Sequence, residues 1–306
     1  MSLAGILDVT PILMLIALGV ILRLTGLINQ QGALVLTRLA YHVTIPAAIF
    51  YSIAQSRLTS SMMMLPVLGV VVPLMLAGVV YLTTPRLADQ PELRGVLMVG
   101  MVVLGVFAFP FFQLFFGPEG LARVAMYDVG NAVYAGTAAI WFSQRFGSRS
   151  RGFDGGRAWR KVIASPIMWA AALGVTVSAL RIELGGPLQD FISRLAAANT
   201  PLAMMAVGAF LRPRAAHGPL VAQFVVTRMV FGVLLGWGAG LLLGLDGLDL
   251  IAASVASGLP AGTTALVYAG NEGLDTELAA SIISVTVLVG AVVINILPLW
   301  LANLYL

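Results

Sequence analysis

Gly117-Pro118-Glu119-Gly120-Leu121 returns 153 residues later, half the length of this 306-residue chain, as Gly270-Asn271-Glu272-Gly273-Leu274. Other landmarks keep nearly the same spacing: Pro66 and Pro219 are 153 apart, Pro46 and Pro201 are 155 apart, and Pro110 and Pro260 are 150 apart. Four such pairs in the same order read as two copies of one unit. A bilayer-spanning helix needs roughly 20 mostly apolar residues, and breaks at Gly, Pro and charge clusters divide the chain into ten such runs. They cover about 9–24, 33–54, 61–84, 95–116, 121–144, 160–180, 188–211, 219–244, 249–269 and 276–303. Each copy holds five runs, and because five is odd the second copy enters the membrane upside down. The expected fold is therefore an all-α integral membrane protein of ten transmembrane helices. It consists of two inverted five-helix repeats, 1–146 and 159–306, joined by a loop at 147–158.

Composition excludes the alternatives. Hydrophobic residues make up 59% and charged residues 10%, against roughly 25% charged in a soluble domain, and the mean hydropathy is +0.98. No soluble fold of this size could hide that much apolar surface. The net charge of +4 does not mark a nucleic-acid binder, because the basic residues sit in short gaps between apolar runs rather than on one stripe. The absence of cysteine excludes disulfides, thiolate metal sites and cysteine nucleophiles. His42 and His217 make no metal-binding spacing, so neither a metal nor a cofactor is expected. No set of nucleophile, base and metal stands out in the apolar runs, which argues against an enzyme. The first run begins near Val9 with no Lys or Arg before it, and reads as a mature helix rather than a cleavable signal.

Basic residues set the expected orientation. Twelve fall on one side of the ten-span scheme, including Arg23, Arg38, Arg160, Lys161, Arg212 and Arg214, and four on the other: Arg57, Arg123, Arg181 and Arg194. The richer side belongs in the cytoplasm. Both termini of a protein in the inner (plasma) membrane then face outward, and the 147–158 loop is cytoplasmic.

Inverted repeats with corresponding interrupted helices mark secondary transporters, whose substrate site lies near the midplane where the broken helices meet. Pro110 and Pro260 are the expected break points. Each lacks the N–H that would bond one turn back, and its ring clashes there. The freed groups need partners from protein, water or ligand. A half-helix that begins after each proline offers N–H groups and a positive dipole end, which suits a carboxylate.

The stretch Leu104 to Asn131, with FAFP, FGPEGLARV and MYDVGN, and the stretch Ser257 to Thr286, with SGLPAGTTALVYAGNEGLDTELAASII, resemble the auxin efflux carrier family. RLAYHVTIPAAIF from Arg38 and NTPLAMMAVGAFL from Asn199 fit it too, so the likeness spans essentially the whole chain. The resemblance implies a ten-helix fold related to the bile acid sodium symporters, with spans 1, 2, 6 and 7 as scaffold and two three-helix groups as a moving core. Helices 4 and 9 would cross at Pro110 and Pro260. It further implies transport of small organic anions, from auxin to dicarboxylates such as malonate or malate, and a homodimer formed through the scaffold. Two positions depart from the family pattern: Val103 and Thr264 stand where relatives often carry asparagine. Gly262, Thr263 and Thr264 remain as substrate ligands beside Pro110, Pro260 and Asn131, with Phe107 and Phe109 as an apolar wall. A sodium-coupled carrier of another amphipathic solute, or a channel or sensor on the same fold, is the alternative reading.

Asp128 and Arg228 lie well inside apolar runs, where a charge is costly and functional by default. Asp128 shares a helix face with Asn131, and the 153 offset carries this pair onto Ser281 and Ser284. Two readings stand open. Asp128 is a proton or cation site with Arg228 as its competitor or the substrate's counter-charge, or the two form a buried ion pair locking their helices. Glu119, Glu272, Asp275 and Glu277 read as loop and helix-start acids favoured by the dipole.

Overall fold

The computed structural model describes residues 3–149, 155–211 and 217–306. Ser150, Arg151, Arg212 and Arg214, of which the three arginines enter the orientation count, lie outside the described residues. Sixteen α-helical segments follow one another: α1 (Leu3–Leu24), α2 (Gln30–Leu39), α3 (Ile45–Gln55), α4 (Leu65–Thr83), α5 (Pro91–Val99), α6 (Gly105–Gly136), α7 (Ala138–Phe146), α8 (Gly155–Ile163), α9 (Pro166–Ala179), α10 (Gly186–Ala197), α11 (Asn199–Phe210), α12 (Gly218–Val225), α13 (Gly232–Leu242), α14 (Gly247–Ser257), α15 (Thr264–Glu272) and α16 (Thr276–Tyr305). Single π turns, Ala40–Thr44 and Val226–Phe231, join α2 to α3 and α12 to α13 without ending the helix. Among the described residues there is no β-strand, and four uninterrupted helices are long and apolar enough to cross a membrane: Gln31–Gln55, Met62–Thr83, Gly218–Leu242 and Thr276–Tyr305. The chain is a multi-pass membrane protein built from apolar helices.

The helix ends follow local chemistry. Asn29 caps α2 by accepting from the Gly32 N–H, and Asp275 caps α16 by accepting from the Leu278 N–H. Glu277 sits in the first turn of α16, as its helix-start reading anticipates. Gly117 (φ 64°, ψ −158°) turns the chain inside α6, a conformation that an L side chain resists, so the segment is two helices in fact. The second of them begins at Pro118, a residue preset for a first helical turn.

Two groups of neighbours stand out, joined where α1, α3, α9 and α11 pack on α6. α1 packs on α11, α3 on α9 and α10, and α2 on α11. α4 packs on α6, α13 on α14 and α4, and α16 on α14, α12 and α15. Lipid supplies no hydrophobic force between helices, so close approach through small residues does this work instead. Where α4 meets α6, a Cβ on Gly69 would overlap the Tyr127 carbonyl and one on Gly130 would overlap the Pro66 carbonyl.

A candidate substrate site at the helix crossing

Two helical spans are broken at mid-course. One runs through α5, halts at Gly100–Leu104 and resumes as α6; the other runs through α14, halts at Gly258–Thr263 and resumes as α15. At the halts the two backbones lie antiparallel and pair. Leu104 N–H donates to the Pro260 carbonyl at 2.9 Å, and Gly262 N–H donates to the Val102 carbonyl at 2.8 Å, with Val103 opposite Ala261. Non-helical backbone at membrane depth survives only where protein or water satisfies it. Here each strand satisfies part of the other.

Further groups are met by side chains of α6, α16 and the π turn before α13. Val103 N–H donates to Asn131 Oδ1 at 2.7 Å, and Asn131 Nδ2 donates back to the Val103 carbonyl at 3.1 Å. At the second break, Ala261 N–H donates to Thr286 Oγ1 at 3.1 Å. Arg228, fully buried on the π turn, donates from Nε to the Leu259 carbonyl at 3.0 Å, while its Nη1 and Nη2 find no partner.

The first crossing point therefore lies at Val103, seven residues before the expected Pro110. Pro110 sits within α6 and is buried with its neighbour Phe109. The new half-helix starts at Gly105, so Pro110 interrupts it one turn in rather than creating the break. Pro260 stands at the second break as expected, and accepts from Leu104.

A cavity of about 450 Å³ opens against the crossing. It brings together Asp128, Asn131, Gly262, Thr263 and Thr264, five of the sequence-derived site residues, and leaves out Phe109, Pro110, Pro260, Arg228, Ser281 and Ser284. Phe107 is not in its wall either; Tyr41, His42, Ser165 and Tyr268 are. The cavity extends past Ala135 and Gly136 toward Val162 and Ala164, the end of the bundle that carries the 147–158 connection. Ser281 donates to the Glu277 carbonyl, and Ser284 is buried. The residue that braces the second break as Asn131 braces the first is Thr286.

Asp128 and Arg228 do not form an ion pair. Asp128 Oδ1 accepts from Asn131 Nδ2 at 2.8 Å, and its carboxylate packs so closely on Gly105 that a Cβ there would overlap it. That contact sets a negative charge at the uncapped start of α6, where the helix dipole is positive. α15 also starts without a side-chain cap, and the hydroxyls of Thr263 and Thr264 make no hydrogen bond among the described residues. Of its first four N–H groups, those of Ala265, Leu266 and Val267 donate to the Gly262 and Thr263 carbonyls, and that of Thr264 makes no hydrogen bond among the described residues. Among the described residues no Lys or Arg lines the cavity, and Asp128 is its one carboxylate.

A buried ion pair does exist, between residues that sequence reasoning leaves in loops or at span ends. Arg123 Nε donates to Asp249 Oδ1 at 2.6 Å, Ser61 and Thr59 donate to Asp249 Oδ2, and Arg123 Nη1 reaches the Glu119 carbonyl at 3.0 Å. These contacts tie α6 to α14 and to the turn before α4. Nothing in the local sequence of either partner marks this pairing.

Apolar helices arranged around a broken-helix crossing, with a cavity against the crossing, define a polytopic membrane transporter. Comparison with known proteins agrees. Residues 155–301 match the family described as "Membrane transport protein". An uncharacterized transporter of Methanothermobacter thermautotrophicus is 27% identical over 303 residues, covering 95% of this chain and 96% of the relative. An uncharacterized transporter of Methanocaldococcus jannaschii is 24% identical over 291 residues, covering 90% and 92%. The second half of the chain is thus similar to the membrane transport protein family and nearly the whole chain to two transporters, which bears out the resemblance of its motifs to the auxin efflux carriers.

Proposed function

We propose that this transporter is a secondary carrier that moves a small organic anion, a carboxylate, by alternating access at the crossing of the two broken helices. The uncapped start of α15 carries this reading. The dipole at its start and the free hydroxyls of Thr263 and Thr264 lie against a cavity of about 450 Å³. The ten-span inverted-repeat organisation is supported by the two breaks, one braced by Asn131 of α6 and the other by Thr286 of α16. The two sets of packed helices support a scaffold (α1–α3, α9–α11) and a moving core. Asp128 is the residue for a coupling proton or sodium ion, since it alone brings a carboxylate to the cavity. A homodimer through the scaffold, an inner-membrane location and outward-facing termini complete the proposal.

The test is counterflow in proteoliposomes with labelled acetate, malonate, succinate and indoleacetate, after a thermal-shift screen of the same acids. A carrier shows trans-stimulation, and a channel does not. Thr264→Val removes one hydrogen bond to the anion and is expected to weaken binding by about 1 kcal/mol, or more if a charged acceptor is stranded. Unchanged affinity in both Thr263→Val and Thr264→Val removes the substrate from the crossing.

A further inference from the structure

A second, smaller cavity of about 190 Å³ adjoins the first, and Phe210 and Thr263 line both. It lies where the end of α1 and the start of α2 face α15 and the first turns of α16. Its charge is opposite to that of the crossing cavity: among the described residues lining it, Arg23 is the only ionisable one, with Asn29 and Thr276 as polar neighbours.

Arg23 occupies the last turn of α1, where an arginine usually bonds the final carbonyls and offsets the dipole. Those carbonyls are already taken. Thr25 N–H donates to Ile21, Ile28 N–H and Thr25 Oγ1 donate to Leu22, and Gly26 N–H donates to Arg23. No acid pairs with Arg23 among the described residues, and its Nε is buried with no hydrogen-bond partner. A half-buried guanidinium that lines a cavity, with neither an acid nor the helix-end carbonyls for a partner, calls for an anion.

We propose that this cavity is an anion subsite, in which Arg23 holds an oxyanion of the transported solute on its way to or from the crossing, with the Thr263 hydroxyl as the shared contact between the two cavities. The proposal rests on the carrier reading above. The volume supports a subsite rather than a whole site, since it falls below the roughly 300 Å³ from which full ligand pockets start. It also eases an electrostatic difficulty: an anion at the crossing meets Asp128, and among the described residues lining the two cavities Arg23 is the one arginine or lysine. A lipid phosphate shares this oxyanion chemistry, but the junction at Phe210 and Thr263 favours the solute.

The experiment measures initial counterflow of the acids named above against concentration, at low and high potassium chloride, in phosphatidylcholine vesicles. Wild-type KM is expected to rise with salt. Arg23→Gln should raise KM about tenfold, the loss of one charge-assisted hydrogen bond, with an unchanged maximal rate and a flattened salt dependence. Arg23→Lys, which keeps the charge, should recover part of the affinity and all of the salt dependence, and so separates charge from folding. Wild-type KM and salt response in Arg23→Gln, in vesicles where the wild type exchanges normally, overturns the subsite and leaves the carrier reading intact. An effect seen only when phosphatidylglycerol is added assigns the position to a lipid headgroup and overturns the subsite as well. No counterflow of any of the acids by the wild type overturns both.

Discussion

Asn131→Ala tests the crossing most directly, because one side chain there serves three polar partners. Its amide accepts from Val103 N–H and donates to the Val103 carbonyl and to Asp128 Oδ1, at 2.7, 3.1 and 2.8 Å. Alanine strands both backbone groups of Val103 at a position that is 4% exposed, and adds no new donor for Asp128. Measured side-chain hydrogen bonds inside membrane proteins average about 0.6 kcal/mol, which gives roughly 2 kcal/mol for three. Leaving a buried group unsatisfied costs about 1–3 kcal/mol, which gives roughly 2–6 kcal/mol for the two groups of Val103. The expected loss is therefore at least 2 kcal/mol, read as a lower detergent-denaturation midpoint, together with loss of counterflow as the crossing loosens. Asn131→Asp sharpens the test. Its ionised form still accepts from Val103 N–H but cannot donate to the carbonyl and faces Asp128 with like charge, whereas its protonated form regains a donor. Its stability should thus recover as pH falls, while Asn131→Ala should not recover. Wild-type stability and transport in Asn131→Ala would refute the bracing role assigned to this residue.

Three further outcomes are expected. Gly130→Ala drives a methyl into the Pro66 carbonyl and should cost about 1–3 kcal/mol by overpacking, whereas Gly78→Ala, with nothing within 4 Å, should be neutral or mildly stabilising in the same unfolding assay. Asp128→Asn should abolish pH-driven accumulation but keep exchange, and because Asp128 and Arg228 are not paired, adding Arg228→Met should not rescue any loss of stability; a well-folded Asp128→Asn with wild-type pH dependence contradicts the coupling role. Arg149→Cys should resist an impermeant thiol reagent outside intact cells while Glu183→Cys reacts, and the reverse pattern inverts the proposed orientation.

Reading the sequence succeeded where the signal was apolar length and failed where it was a contact between distant backbones. Every apolar run has helical segments at its place, because burial in hydrocarbon leaves the backbone no other partner than itself. The break after Ser257 was legible from Pro260, which cannot extend a helix. Its counterpart was not, because only single glycines, Gly100 and Gly105, flank Met101-Val102-Val103-Leu104, and the stretch itself contains neither Gly nor Pro. It is drawn out of the helix by pairing with Pro260 and Gly262, a long-range gain that overrides propensity. Projecting Asn131 by the repeat offset lands on Ser284, yet the brace is Thr286. The offset between the crossing residues themselves, Val103 and Ala261, is 158 rather than 153, so a fixed offset cannot place individual side chains. The cavity-lining Gly262, Thr263 and Thr264 were legible because they follow the proline break directly.

The way the crossing is held constrains how the carrier could move. Its two halts share backbone hydrogen bonds and are braced by Asn131, Thr286 and Arg228, all from helices of the same packed set. Alternating access that pulled the halts apart would have to break these bonds in a site with little water to replace them. Movement of the crossing as one body avoids that cost. Both cavities lie on the boundary such a movement would use: Ala203, Val207 and Phe210 of α11 and Ile45 of α3 face the crossing residues across the larger one, and Arg23 and Ala33 face Leu266 and Ile283 across the smaller. These facing residues are mostly small or aliphatic, so one wall can slide along the other without stranding a hydrogen bond. Arg23 stays with the stationary wall on this scheme while Thr263 travels. The contact between the two cavities would then exist only when the carrier opens toward the α1–α2 turn, and Arg23 would meet the anion in that state alone.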